Sequence, residues 1–467
     1  MHWYRMSAAL CAGVAIFAAG PASAETFTLN DALGVAYETN PQLAAAQAQL
    51  RATDEEVAKA NAGWRPQANA QGSYGWEKFG FTPITIAPFG TISTANEHPL
   101  QGQVTVTQPV IRLGTIPEIS RAKALVRAGR AQLLASEQTV LLNAATAYMD
   151  VVRDTAIVKL RKQNVELLVQ QKNSTQVQFN AGALTRTDVA QSEARLAGAQ
   201  SDLTAAQGQL AVSQANFLQA IGRPPETLQN DPSVPVLPAN QDETIALASK
   251  QNPAVVSARE QDRAADYAID DAYAALAPSL SVQGQYFYSQ GSITNSIGGP
   301  GVGATGSVEH GVAVLGLLNV PIYQGGADQA AVREAKELHG ATTQNVEVAD
   351  RQVVDAATST WQAFEAARAT IDSNVATEHA DEIAYQGVSK EQQVGGRTIL
   401  DVLNAAQELL NAQVAVVTSK RNTVVAAYAV LAAAGSLTAK DLGLKVKDYD
   451  PIEHYDDDAA RWIGFGD

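Results

Sequence analysis

The sequence predicts an α+β fold written twice, each half a long helical hairpin that carries a hairpin of strands. Three observations lead there. The stretch QVGGRTILDV at 393–402 is a near copy of NAGALTRTDV at 180–189. Matching residues recur at a held offset. Asn40-Pro41 and Asn252-Pro253, Pro66 and Pro278, Tyr74 and Tyr286, Pro109 and Pro321, and Arg121 and Arg333 lie 212 apart. Gly182 and Gly395, Leu196 and Leu409, and Gly222 and Gly435 lie 213 apart. In each copy the apolar period changes from helical to two and back again. An offset held this far along the chain marks a duplication, which biased composition does not produce.

The elements follow in order. Residues 1–24 are expected to be a signal peptide: His2 and Arg5 begin it, 6–20 are mostly apolar, and Ala22-Ser23-Ala24 fits cleavage. Cys11 follows Leu10 inside the apolar stretch, which does not suit a lipid-accepting cysteine. Repeat 1 is expected over 25–221, with a helix, a strand hairpin at 67–110, a long helix, a tip turn at 180–187 and a second helix. Asn40 caps its opening helix with Pro41 in the first turn, and Trp64-Arg65-Pro66 stops it. Ala68, Ala70, Gly72, Tyr74 and Trp76 then alternate with Gln67, Asn69, Gln71, Ser73 and Gly75. The return strand sets Val104 and Val106 against Thr105 and Thr107. Beyond Pro117 no proline occurs up to 180. Leu141, Ala144, Tyr148, Val151, Thr155, Val158, Lys162, Val165 and Val169 hold a 3-4 spacing, read as a coiled-coil seam. A helix of that extent is roughly 96 Å long.

Residues 222–241, with Pro224, Pro225, Pro232, Pro235 and Pro238, are expected to be a linker. Repeat 2 follows over 242–435, with a strand hairpin at 279–321 and a tip turn at 393–398. Leu280, Val282, Gly284, Tyr286 and Tyr288 share one strand face, and the return strand offers Val312, Val314, Gly316 and Leu318. Residues 436–467 end near the acidic Asp456-Asp457-Asp458 and are expected to form a mobile tail.

Composition excludes several functions. Without Arg5 the chain holds 32 basic against 48 acidic residues, a formal charge of −16, which disfavours nucleic-acid binding. The chain's one cysteine is Cys11, so the mature protein rests on packing rather than disulfides. The six histidines are scattered, and no metal or cofactor is expected. The longest apolar run, 424–434, has eleven residues, short of the ~18 a membrane helix needs. A barrel remains open, because its strands give only weak alternating signals.

In the two turns Gly182 and Gly395 can take the left-handed conformation that ends a helix. Thr185 and Thr398 can cap the next helix, with Asp188 and Asp401 completing a capping box. A tight hairpin needs no more. If several copies surround a lumen, Asp401 also forms a ring of carboxylates that favours cations, and Arg397 can pair with Asp188 across the turns. Two hairpins give four strands, too few to enclose a pore, so copies must pool them: a dimer gives eight and a trimer twelve. The polar strand face suits a wet lumen and the apolar face suits lipid. Tyr74, Trp76, Phe79, Tyr286 and Tyr288 fit either an interfacial girdle or ordinary packing.

Over essentially the whole mature chain the sequence resembles the TolC-like outer-membrane export and efflux channel family. The resemblance rests on the two Asn-Pro pairs, LNAATAY (142–148), FNAGALTRTDV (179–189), NVPIYQGG (319–326) and VGGRTILDVLNA (394–405). It implies a homotrimer whose protomers give four strands each to a twelve-stranded outer-membrane barrel. It also implies coiled-coil helices forming a periplasmic α-barrel, and a mixed equatorial collar that takes in the linker and the C-terminal segment. The implied partners are a periplasmic membrane-fusion adaptor and an inner-membrane pump of RND, ABC or MFS type. Carried over by position, Asp401 matches an entrance aspartate, Arg397 a lock arginine, and Thr187-Asp188 the lock partners. Gln392 stands where the best-known member has a lock tyrosine, and Asn404 where it has a second aspartate, so lock and cation block are expected to be weaker. Gly182, Leu184, Thr185, Gly395, Gly396 and Thr398 are the expected adaptor contacts. The competing reading is a secreted coiled-coil adhesin without a pore. A hydrolase finds no G-x-S-x-G or H-E-x-x-H motif.

Overall fold

A computed structural model describes residues 26–86, 90–97, 99–295, 305–459 and 461–464; the expected signal peptide lies outside them. The chain runs α1 (Leu29–Thr39), α2 (Pro41–Asn61), β1 (Gln67–Tyr74), β2 (Glu77–Ile86), β3 (Gly90–Glu97), β4 (Leu100–Ile111), α3 (Thr115–Asn180) and α4 (Arg186–Ile221). It then repeats the order with α5 (Gln241–Gln251), α6 (Pro253–Ala274), β5 (Ser279–Asn295), β6 (Thr305–Asn319), α7 (Ala327–Gln393) and α8 (Ile399–Ala434), before a short α9 (Glu453–Asp458). The Asn-Pro caps act alike: the Asn40 side chain accepts from the Gln42 amide at 2.8 Å, and Asn252 from Ala254 at 2.9 Å. Helices α1 and α5, ahead of these caps, were not anticipated. Each starts with its own signal, Thr28 with Asp31 and Asn240 with Glu243.

Two compact units form. The first gathers residues up to 36, 144–234 and 370–424. In it Tyr148 is fully buried against Phe217, with ring centroids 6.2 Å apart. The Tyr148 hydroxyl donates to the Phe27 carbonyl at 2.8 Å and accepts from the Gln229 amide at 2.9 Å. Phe27 and Leu228 form a parallel bridge, so the start of the Pro-rich segment is strapped down. Burial pushes the Tyr148 hydroxyl up to about 12.

The predicted seam holds through Val151 and then slips. Thr155, Lys162 and Val169 are exposed, while the buried stripe runs one residue earlier through Asp154, Asn164, Leu168 and Thr175. Three of those four are polar, which is why an apolar pattern skips them. Asp154 is satisfied by Arg153 and by the Ser213 hydroxyl, and Arg421 and Arg153 both reach Asp150, at 2.8 and 3.0 Å.

The second unit gathers 37–143, 235–369 and 425 onward, and contains the sheet. Strands β1 with β2, and β4 with β3, form two broken staves. With β5 and β6 they make four antiparallel staves in sequence. The register aligns Ala68, Val106, Gly284 and Val314 across one face, and Ala70, Val104, Tyr286 and Val312 beside them. The other face aligns Gln67, Thr107 and Gln283, then Asn69, Thr105 and Gln285. That polar face ends at β6, where Leu315 and Ala313 stand opposite Gln283 and Gln285. The edges, β1 with β2 and β6, have no further strand among the described residues. Tyr74 and Trp76 are exposed; the side chain of Phe79 lies outside the described residues.

The acidic tail is docked rather than mobile. Tyr455 and Ala459 pack on Val57, Ala122 and Val126, and the Arg130 guanidinium lies 5.1 Å from the Tyr455 ring centroid. The charge pattern hid an i,i+4 pair, Tyr455 and Ala459, that α9 turns inward.

Candidate functional site: the paired tip turns

The two turns lie in the first unit and are built alike. Helix α3 ends at Asn180, and Gly182 takes φ +77° with its amide on the Phe179 carbonyl at 2.9 Å. Helix α7 ends at Gln393, and Gly395 takes φ +80° with its amide on Gln392 at 3.0 Å. A Cβ at either glycine would meet nothing within 4 Å, so glycine is required here by backbone conformation, not by crowding.

Both capping boxes form. Asp188 Oδ2 accepts from the Thr185 amide at 2.9 Å and its hydroxyl at 2.7 Å, while the Asp188 amide donates to Thr185 Oγ1 at 3.3 Å. The same three bonds join Thr398 and Asp401 at 3.0, 2.8 and 3.2 Å. Only Oδ2 is used in each case, which leaves Oδ1 to solvent. The hydroxyl and amide of Thr185 hold the Asp188 carboxyl below the usual carboxylate range. The amide and hydroxyl of Thr398 do the same for Asp401. Both aspartates therefore stay charged at neutral pH.

The structure brings the other predicted residues together only in part. Arg397 does not reach Asp188 within the chain; its Nε donates to Glu391 Oε2 at 2.9 Å, across its own turn. Asp188 is already engaged by Thr185, and Glu391, two residues before the end of α7, is the nearer acid. Asn404 accepts from Arg195 Nη2 at 2.9 Å, a link between α8 and α4. Sequence reasoning missed Glu391 and Arg195 because both bonds depend on which turn folds over which helix. Leu184 packs against a cluster of Leu168, Ala199, Ile399 and Leu403 and is half-buried. Val394, by contrast, is 85 % exposed beside Gly395. An apolar residue in a glycine turn was the signal that could have marked it. Gly396 lies in its turn and is exposed, Thr187 is exposed in the first turn of α4, and Gln392 is half-buried in the last turn of α7. Among the described residues no His, Cys, Asp and Glu cluster suits a metal ion.

Comparison with known proteins places this geometry. The family described as outer membrane efflux protein matches the chain twice, over residues 32–223 and again over 244–436. The chain is 34 % identical to outer membrane efflux protein BepC of Brucella suis biovar 1 (strain 1330), covering 94 % of this chain and 91 % of BepC. It is 25 % identical to outer membrane protein TolC of Vibrio cholerae serotype O1, covering 88 % and 92 %. Its fold is similar to that of CusC, whose crystal structures concern folding and transmembrane channel formation. There the TM-score is 0.73 with 16 % identity, over 88 % of this chain and 92 % of that one.

Proposed function

Because the chain belongs to the outer membrane efflux protein family, an outer-membrane channel of efflux or secretion type that extends into the periplasm, we propose that it works as a homotrimeric exit duct gated at its tip turns. The family is one of channels, not enzymes, and the adhesin alternative finds no support in it. The observation that carries the proposal is the four-stave sheet whose two edges are unpaired among the described residues. Exposed edges bind further strands, and a membrane barrel needs eight strands or more. Three copies supply twelve staves, the apolar face toward lipid and the Gln/Thr/Asn face toward water.

The tip turns then form the periplasmic mouth. Asp401 and Asp188 give it carboxylates that remain ionised, and rings of this kind favour cations. Arg397 pairs with Glu391 inside each copy, and exchange of that pair for Asp188 of a neighbouring copy is the proposed closing contact. A periplasmic adaptor seats on the exposed surface of the turns, at Gly182, Thr185, Gly395, Gly396 and Thr398, with Val394 added. The adaptor serves an inner-membrane pump, of RND, ABC or MFS type, that selects the cargo. Purified outer-membrane fractions are expected to give a heat-dissociable trimer that conducts ions in planar bilayers. A stable monomer without conductance would overturn the proposal.

A further inference from the structure

Among the last described residues of the chain are two large apolar side chains that find no cover. Trp462 is 66 % and Ile463 92 % exposed. Their position is nevertheless fixed, because the tail climbs along α2 in step with it. His454 Nδ1 lies 3.3 Å from the buried Asp54. Further on, the Asn61 amide nitrogen donates to the Ala459 carbonyl at 3.0 Å. Last, Arg65 Nη1 donates to the Arg461 carbonyl at 2.6 Å, with its guanidinium 5.0 Å from the Trp462 ring centroid. Tail and helix thus run in the same direction, toward the point where β1 begins at Gln67. Trp64, also exposed, lies at that point, its carbonyl held by Gln108 Nε2 at 2.9 Å.

We infer that Trp462 and Ile463 are a lipid anchor, seated at the headgroup–acyl boundary of the periplasmic leaflet of the outer membrane; the inference rests on the sheet being the membrane barrel. Three features favour phospholipid as the occupant. The tail delivers these side chains two residues short of a membrane-entering strand. Indole rings prefer the interface, where an apolar body and a polar N–H are both satisfied. The spacing also fits. Tyr74 ends β1 and Trp76 follows it, at the break where the same stave passes on into β2. At ~3.3 Å per residue and a tilt of about 40°, they stand roughly 20 Å beyond Gln67 along the membrane normal. That approaches the ~25 Å apolar band of such barrels, so Trp64 with Trp462 would be the near girdle and Tyr74 with Trp76 the far one. The acidic run of α9 comes earlier in the tail, where it remains in water.

The test uses the full protein in nanodiscs of phosphatidylethanolamine and phosphatidylglycerol. The mature chain has no cysteine, so Ile463→Cys, Val314→Cys and Val236→Cys each accept a single nitroxide. Val314 reports the apolar face of β6 and Val236 an exposed segment of the linker. Expected is a severalfold rise in oxygen over nickel-chelate accessibility at 463 relative to 236, approaching that at 314. Water-like values at 463 with lipid-like values at 314 overturn the anchor and leave the barrel standing. Water-like values at both overturn the barrel reading and the anchor with it.

Discussion

Glu137 is a carboxyl group largely withdrawn from water, only 7 % exposed. Its Oε1 accepts from the buried Ala439 amide at 2.7 Å. Burial raises its proton affinity above the ordinary value of 4.5, and Asp448 and Asp441 add to the rise against the opposing Ala439 bond. A carboxyl that binds its proton more tightly when folded favours the folded state at low pH, and that contribution fades as pH climbs through the raised value. Glu137→Gln keeps an acceptor for Ala439 and removes the charge. Its melting temperature should exceed the parent's at pH 7 and merge with it below about pH 4; equal melting at both pH values would refute this. Two glycines make a second comparison. Gly395 and Gly435 both take φ +80°, but a Cβ at Gly435 would stand 2.8 Å from the Asn252 Cα, whereas one at Gly395 meets open space. Gly395→Ala should cost about 1 kcal/mol for the left-handed backbone. Gly435→Ala should cost ~2 kcal/mol more for the clash. Thermal unfolding followed by circular dichroism would separate them, and equal losses would mean that the crowding at Gly435 is relieved freely.

Each tip turn is an element closed by one threonine and one aspartate. Thr398→Ala deletes the hydroxyl that accepts from the Asp401 amide and should destabilise the start of α8 by about 1 kcal/mol. Faster amide exchange confined to the first turn of α8 is the expected reading, and unchanged protection would show that packing of Ile399 already holds the turn. These turns were legible in the sequence because capping is local: glycine, threonine and aspartate at fixed spacing determine it. The two faces of the strands were legible for the same reason, from alternation between the prolines at 66, 109, 278 and 321, whereas their pairing register, with shifts at Gly80/Ile84 and Pro109/Ile111, was not. The course of α3 beyond Val151 was not, because its stripe is carried by Asp154 and Thr175, whose burial depends on partners such as Ser213 and Ser192 on another helix. Nor was the docked tail, since nothing in its acidic run tells that Asn61 and Arg65 hold its carbonyls. Contacts that join distant stretches are set by packing, which no single-stretch pattern encodes.

At the scale of the whole molecule, the proposed mouth sets fixed charges around one opening, and two substitutions should move it in opposite directions. Asp401→Asn removes a charge but leaves an oxygen to accept from the Thr398 amide, so the turn stays capped while the ring is neutralised. Arg397→Ala frees Glu391 from its only described ion pair and makes each turn more negative. In planar bilayers with a salt gradient, the reversal potential should move toward lower cation selectivity for the first variant and toward higher for the second. Because the Thr398 bonds depress the Asp401 carboxyl, the parent's selectivity should survive acidification from pH 7 to about pH 4, the range in which ordinary carboxylates begin to protonate. The depressed group keeps its charge, and the helix cap that depends on it, until the pH falls below that range. Shifts of the same sign in the two variants would place the selective charges elsewhere than the tip. A parent whose selectivity is already largely lost by about pH 4 would place them on carboxylates without such caps.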